Sequence, residues 1–130
     1  MEILTLKTRL SVLWIFMAVA MSAHSVLAFM DKEMVEQVWK MEMGPGMMLF
    51  MAIFWWVPLV MAVLSVTLKD SANRWANMIL GIVFMVLNIF HLVEHLTTAP
   101  SVHQILIIGS TVVATALIFW YALKWPKQEV

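Results

Sequence analysis

The chain has 130 residues, 63% hydrophobic and 12% charged, with zero formal net charge and no cysteine. Soluble domains are about 45–50% apolar and about 25% charged, so this chain lacks the polar surface that would cover a water-soluble globule. Neutrality leaves no electrostatic footprint for nucleic acid, and the lack of cysteine excludes disulfides, thiolate metal sites, iron–sulfur clusters, covalently attached haem and thiol redox catalysis.

A helix crossing roughly 30 Å of hydrocarbon takes about 20 mostly apolar residues. The first such run covers residues 10–29. Lys7 and Arg9 precede it and Val26-Leu27-Ala28 closes it, a layout shared with secretory signal peptides. The run is longer than the roughly 7–15 apolar residues of a signal peptide, so it is read as a retained span. Next comes a polar stretch in which Asp31 can cap a short helix. Met34, Val35, Val38 and Trp39 would share one side, and Lys32, Glu33, Glu36 and Lys40 the other. This predicts an amphipathic helix on the membrane surface, ended by Gly44-Pro45-Gly46. The second span covers residues 47–68, with Pro58 inside it predicting a kink. Lys69-Asp70-Ser71-Ala72-Asn73-Arg74 leads to a third span at 75–96, and Thr97-Thr98-Ala99-Pro100-Ser101 to a fourth at 102–123. Gly81, Gly109, Ser110 and Ala114 permit close helix approach.

Continuous apolar runs exclude a β-barrel, and backbone groups in hydrocarbon must pair within each segment. Short loops make neighbours antiparallel. The expected fold is therefore all-α: one domain over residues 1–130, a four-helix transmembrane bundle of up-down topology, with a short amphipathic helix between spans one and two. Lys7, Arg9, Lys69, Arg74, Lys124 and Lys127 fall on one side and only Lys32 and Lys40 on the other. The positive-inside rule then puts both termini in the cytoplasm and the protein in the cytoplasmic membrane. Trp14, Trp75, Trp120, Tyr121 and Trp125 read as an inner aromatic belt and Trp39 as an outer anchor. The lipid bilayer is the one partner implied; a second copy or another membrane protein is left open.

Polar groups inside the spans are concentrated. At 100° per residue Asn77, Gly81, Phe84, Asn88, His91 and His95 share a narrow arc of the third span, with Glu94 at its edge. His24 near the end of the first span and His103 at the start of the fourth reach a similar depth. The candidate ligand-binding set is Asn88, His91, Glu94, His95, His24 and His103, with His91, His95 and His24 as candidate metal ligands. Such residues commonly act as interhelical hydrogen-bonding glue, worth about 0.6–2 kcal/mol. They are also where intramembrane function resides. The primary expectation is a non-enzymatic protein with a structural or small-ligand pocket near the outer face. The alternative is a metal- or haem-binding component of a redox or transport system.

His91-Leu92-Val93-Glu94-His95 matches the H-x-x-E-H pattern of inverted zinc proteases. Its third ligand would have to be His24 or His103, which suits a binding site better than a peptidase. A b-type haem would need an axial pair such as His24 with His91 or His95. Met41, Met43, Met47, Met48 and Met51 cluster at the same end, and thioethers suit Cu(I), although Met is also an ordinary apolar filler.

The runs Leu10-Ser-Val-Leu-Trp-Ile-Phe16, Phe29-Met-Asp31, Gly44-Pro45-Gly46, Asn73-Arg-Trp-Ala-Asn77 with Gly81, and Trp120-Tyr-Ala-Leu-Lys-Trp-Pro126 resemble a family of small bacterial four-span integral membrane proteins catalogued as a domain of unknown function. The resemblance covers nearly the whole chain and implies a retained first span in a bacterial cytoplasmic membrane. It implies no reaction or cofactor, and the histidine and methionine clusters match none of its motifs. In architecture alone the chain is similar to DoxX-like four-span proteins, which accompany redox systems.

Overall fold

The computed structural model describes residues 1–126; Lys127, Glu129 and the terminal Val130 lie outside the described residues. Five helices follow in order: α1 (Ile3–Met30), α2 (Lys32–Lys40), α3 (Pro45–Thr67), α4 (Asp70–Thr98) and α5 (Val102–Leu123). All but α2 are long and apolar enough to cross a membrane. There is no strand among the described residues.

The boundaries differ from expectation where local chemistry is strong. Asp31 caps α2 as predicted, its Oδ1 accepting from the backbone N–H groups of Glu33 at 3.0 Å and Met34 at 3.2 Å. Met34, Val35 and Val38 of α2 are half-buried, but Trp39 is 79% exposed and does not join them. The helix stops at Lys40 rather than at Gly44-Pro45-Gly46. Pro45 instead opens α3, since its missing N–H is one that a first turn leaves unpaired anyway. Pro58 is buried inside α3, which continues past it to Thr67. The linker expected from Lys69 to Arg74 shrinks to Leu68 and Lys69, because Asp70 starts α4, where a carboxylate is favourable beside the helix N-terminus.

α1 packs against α3 and α5, and α4 against α5, while α3 and α4 barely meet. The core lies around Leu6, Leu10, Trp14, Met17, Met61, Phe84 and Ile118. Trp14, expected in an aromatic belt, is fully buried, as is nearly all of Trp125; Trp75 and Trp120 remain about half-exposed. A tryptophan goes into a core when its N–H finds a partner. Trp14 Nε1–H donates to Asn77 Oδ1 at 2.7 Å. Ser65 Oγ–H donates to the same oxygen at 3.3 Å, and Asn77 Nδ2 donates to Asn73 O and Oδ1 at 2.9 and 2.7 Å. Asn73 Nδ2 donates to Ser65 O at 2.7 Å. This satisfied network joins α1, α3 and α4 near the α3–α4 loop, where Lys7 Nζ also reaches Asp70 Oδ1 at 2.7 Å. The Asn73–Asn77 run thus has a structural role.

Gly81 lets α4 lie directly on α5: a Cβ there would come within 3.1 Å of Phe119 N. Gly109 has nothing comparable within 4 Å, so its expected part in close packing is not found. The Phe54 and Phe84 rings meet at 5.2 Å between centroids. Next to this contact lies a cleft lined by α1, α3 and α4.

Candidate metal centre in a membrane bundle

The cleft leads to the histidines. Asn73, Asn77, Gly81, Phe84 and Asn88 form the buried face of α4. Continuing at 100° per residue carries His91 and His95 to the same side one and two turns further on. His91 lies seven residues before the end of α4, roughly 10 Å along the axis. His24 of α1 meets them there. The three imidazoles form a nearly equilateral triangle, with ring centroids 5.0 Å apart for His24–His91, 5.1 Å for His24–His95 and 4.8 Å for His91–His95. Each pair is close to perpendicular, at 87°, 82° and 82°. One nitrogen from each ring lies within 4.8 Å of the others, and His24 Nε2 is 3.2 Å from His91 Nε2.

The ring spacings and the His24–His91 separation are close to those of a tetrahedral metal site, while the 4.8 Å bound on the three ligand atoms is wider than in a closed one. With metal–nitrogen bonds of about 2.0–2.1 Å, two ligand nitrogens sit roughly 3.4 Å apart and their ring centroids roughly 5 Å apart. A plain N–H···N hydrogen bond would account for the His24–His91 pair but not for the third ring. His95 keeps a buried Nδ1 with no hydrogen-bond partner.

A supporting contact orients one of the rings. His24 Nδ1 lies 2.6 Å from Gln104 Oε1, and Gln104 Nε2 donates back to His24 O at 3.2 Å. An amide oxygen can only accept, so His24 Nδ1 carries the proton and Nε2 turns its lone pair towards His91. Metal-bound histidines are held in this way, the second N–H given to a carbonyl or carboxylate. His91 Nδ1 lies 3.8 Å from Glu94 Oε2 on its own helix, too far for a hydrogen bond but on the side away from the triangle. Gln104 is fully buried. It escaped the sequence reading because glutamine carries no titratable signal; its position one residue after His103 was the only available clue.

The other candidates separate. His103 is exposed on α5 and outside the triangle, while its neighbour Gln104 turns inward. Asn88 lies fully buried one turn below His91. Its Nδ2 approaches Thr111 O at 3.4 Å and Met17 Sδ at 3.6 Å, so it bridges α4 to α5 and α1 rather than joining the triangle. Glu94 is mostly exposed at the rim. A haem does not fit: its axial pair must lie on opposite faces of a macrocycle. No macrocycle passes between rings 5.0 Å apart with a third imidazole 4.8 Å away.

Two members of the triangle, His24 and His91, line a cavity of about 480 Å³ between α1, α3 and α4, and His95 does not. Met21, Phe50, Met51, Phe54, Trp55, Leu87 and Phe90 supply its apolar walls, and Met47 stands at its edge. Met41, Met43 and Met48 are exposed and do not line it.

Fold and site together define a small all-α protein with four membrane-spanning-type helices and a three-histidine cluster inside the bundle. The chain belongs to the family of unknown function DUF6326, whose model matches residues 4–130. No curated protein and no solved structure matches it.

Proposed function

We propose that this protein is a metal-binding component of the bacterial cytoplasmic membrane, holding one divalent transition-metal ion between His24, His91 and His95. The observation that carries the reading is the three-ring triangle with ligand atoms within 4.8 Å. Gln104 behind His24 supports it, because a fixed tautomer serves coordination. Three imidazoles suit zinc, copper, iron or nickel, and three protein ligands leave a tetrahedral ion one open position. Lys7, Arg9, Lys69, Arg74 and Lys124 at one end of the bundle, against Lys32 and Lys40 at the other, support cytoplasmic termini and a metal near the outer face.

The test is linkage between metal and folding. Free Zn2+ at a hundred times its dissociation constant should stabilise the detergent-solubilised protein by about 2.7 kcal/mol over a chelator-treated sample. His24→Ala, His91→Ala and His95→Ala should each abolish that difference. If the histidines serve only as interhelical glue, the three variants will lower the melting temperature while Zn2+ and chelator leave wild type unchanged.

A further inference from the structure

The metal triangle does not fill the space around it, and the shape and chemistry of what remains are specific. The adjoining cavity of about 480 Å³ is within the roughly 300–1,000 Å³ typical of small-molecule sites. It lies between three helices of membrane-crossing length, α1, α3 and α4, next to the Phe54–Phe84 contact. Residues at its mouth are open to the surroundings: Met47 is 54% exposed, Phe50 52% and Phe90 73%. In a bilayer that mouth faces acyl chains, so an occupant can arrive sideways from the lipid phase without crossing water. The polar lining is confined to one group, His24, Ser25, His91 and Glu94, the last of them at the rim. The cleft therefore pairs one polar patch with otherwise apolar walls.

Charge selects the head of the occupant. Three neutral imidazoles and a divalent ion leave two positive charges, and Glu94 removes one. An anionic oxygen on the open coordination position removes the other, in a region where an uncompensated charge is costly. An apolar tail exchanges one hydrocarbon environment for another and gains little, so binding strength comes from the head on the metal while the cleft determines which molecules reach it.

We infer that the cleft between α3 and α4 binds a membrane-dissolved, single-chain amphiphile whose anionic oxygen head occupies the open position of the His24–His91–His95 metal ion. The inference rests on the metal-binding reading above. Carboxylate and phosphate heads share the required chemistry, and the test distinguishes them.

The experiment uses the full chain in a neutral detergent with Co2+ as the metal, because the visible d–d band of Co2+ reports its fourth ligand. Adding dodecanoate or dodecyl phosphate should shift the band in a saturable manner, and the head that acts at lower concentration identifies the source. Dodecyltrimethylammonium, with the same tail and a cationic head, should leave it unmoved. Met51→Trp, which fills the cleft from α3, a helix that supplies no ligand, should retain the Co2+ band and weaken the anionic amphiphile response at least tenfold. A bound Co2+ whose band ignores both anions, or responds equally in Met51→Trp, overturns this inference and leaves the metal centre standing. Failure to obtain any Co2+ band overturns the metal centre and this inference together.

Discussion

Replacing Gln104 with Leu removes the group that fixes the His24 tautomer while roughly conserving side-chain volume. Two interactions vanish, the His24 Nδ1–Gln104 Oε1 contact at 2.6 Å and the Gln104 Nε2–His24 O bond at 3.2 Å. Without the acceptor, His24 can carry its proton on either nitrogen and rotate, so metal binding must first select the competent state. Loss of such a supporting partner costs about 10–100-fold in metal affinity, or about 1.4–2.8 kcal/mol. The metal-free protein should also lose about 1 kcal/mol, near the middle of what interhelical hydrogen bonds contribute in membranes. Gln104→Glu keeps an acceptor for Nδ1–H and should recover most of the affinity. The assay is competition for Zn2+ against a chromophoric chelator in detergent, with melting measured in parallel under chelator. The reasoning is refuted if Gln104→Leu binds Zn2+ as tightly as wild type while His24→Ala does not bind.

Asn77→Leu should cost about 2–4 kcal/mol by leaving the buried Trp14 N–H unpaired, seen as a lower melting temperature. It should not alter Zn2+ affinity, since His91 lies 14 residues further along α4, about 21 Å away. Gly81→Ala should destabilise by about 1–3 kcal/mol through its clash with Phe119. Gly109→Ala, with open space around it, should be neutral or stabilise by about 0.5–1 kcal/mol, and the two melting curves decide. His103→Ala should leave the Zn2+ dissociation constant unchanged to within about twofold, as expected of a residue outside the ligand set. A cytoplasm-dependent reporter fused after Val130 should be active and the same reporter inserted near Gln37 inactive; the reverse would invert the proposed orientation.

The spans were legible in the sequence because hydrocarbon imposes a length and an apolar composition on any helix that crosses it. The buried face of α4 was legible because its few polar residues repeat at helical spacing. Helix ends were less so, since Pro45 and Asp70 act through capping chemistry that overrides the hydropathy boundary. Trp14 was misplaced because an aromatic belt and a buried hydrogen-bonded indole look alike until Asn77 is seen opposite. Depth along the spans singled out all four histidines. Rotation of α5 about its axis, which no loop length sets, decides that Gln104 turns inward and His103 outward.

The account is tested most directly by the metal-to-protein ratio of gently purified chain, reconstituted with Zn2+ and freed of excess, for wild type and for His91→Ala. One zinc per chain in wild type and none in the variant is the predicted result. A wild-type protein that retains no zinc, or a variant that retains as much, would contradict the metal centre.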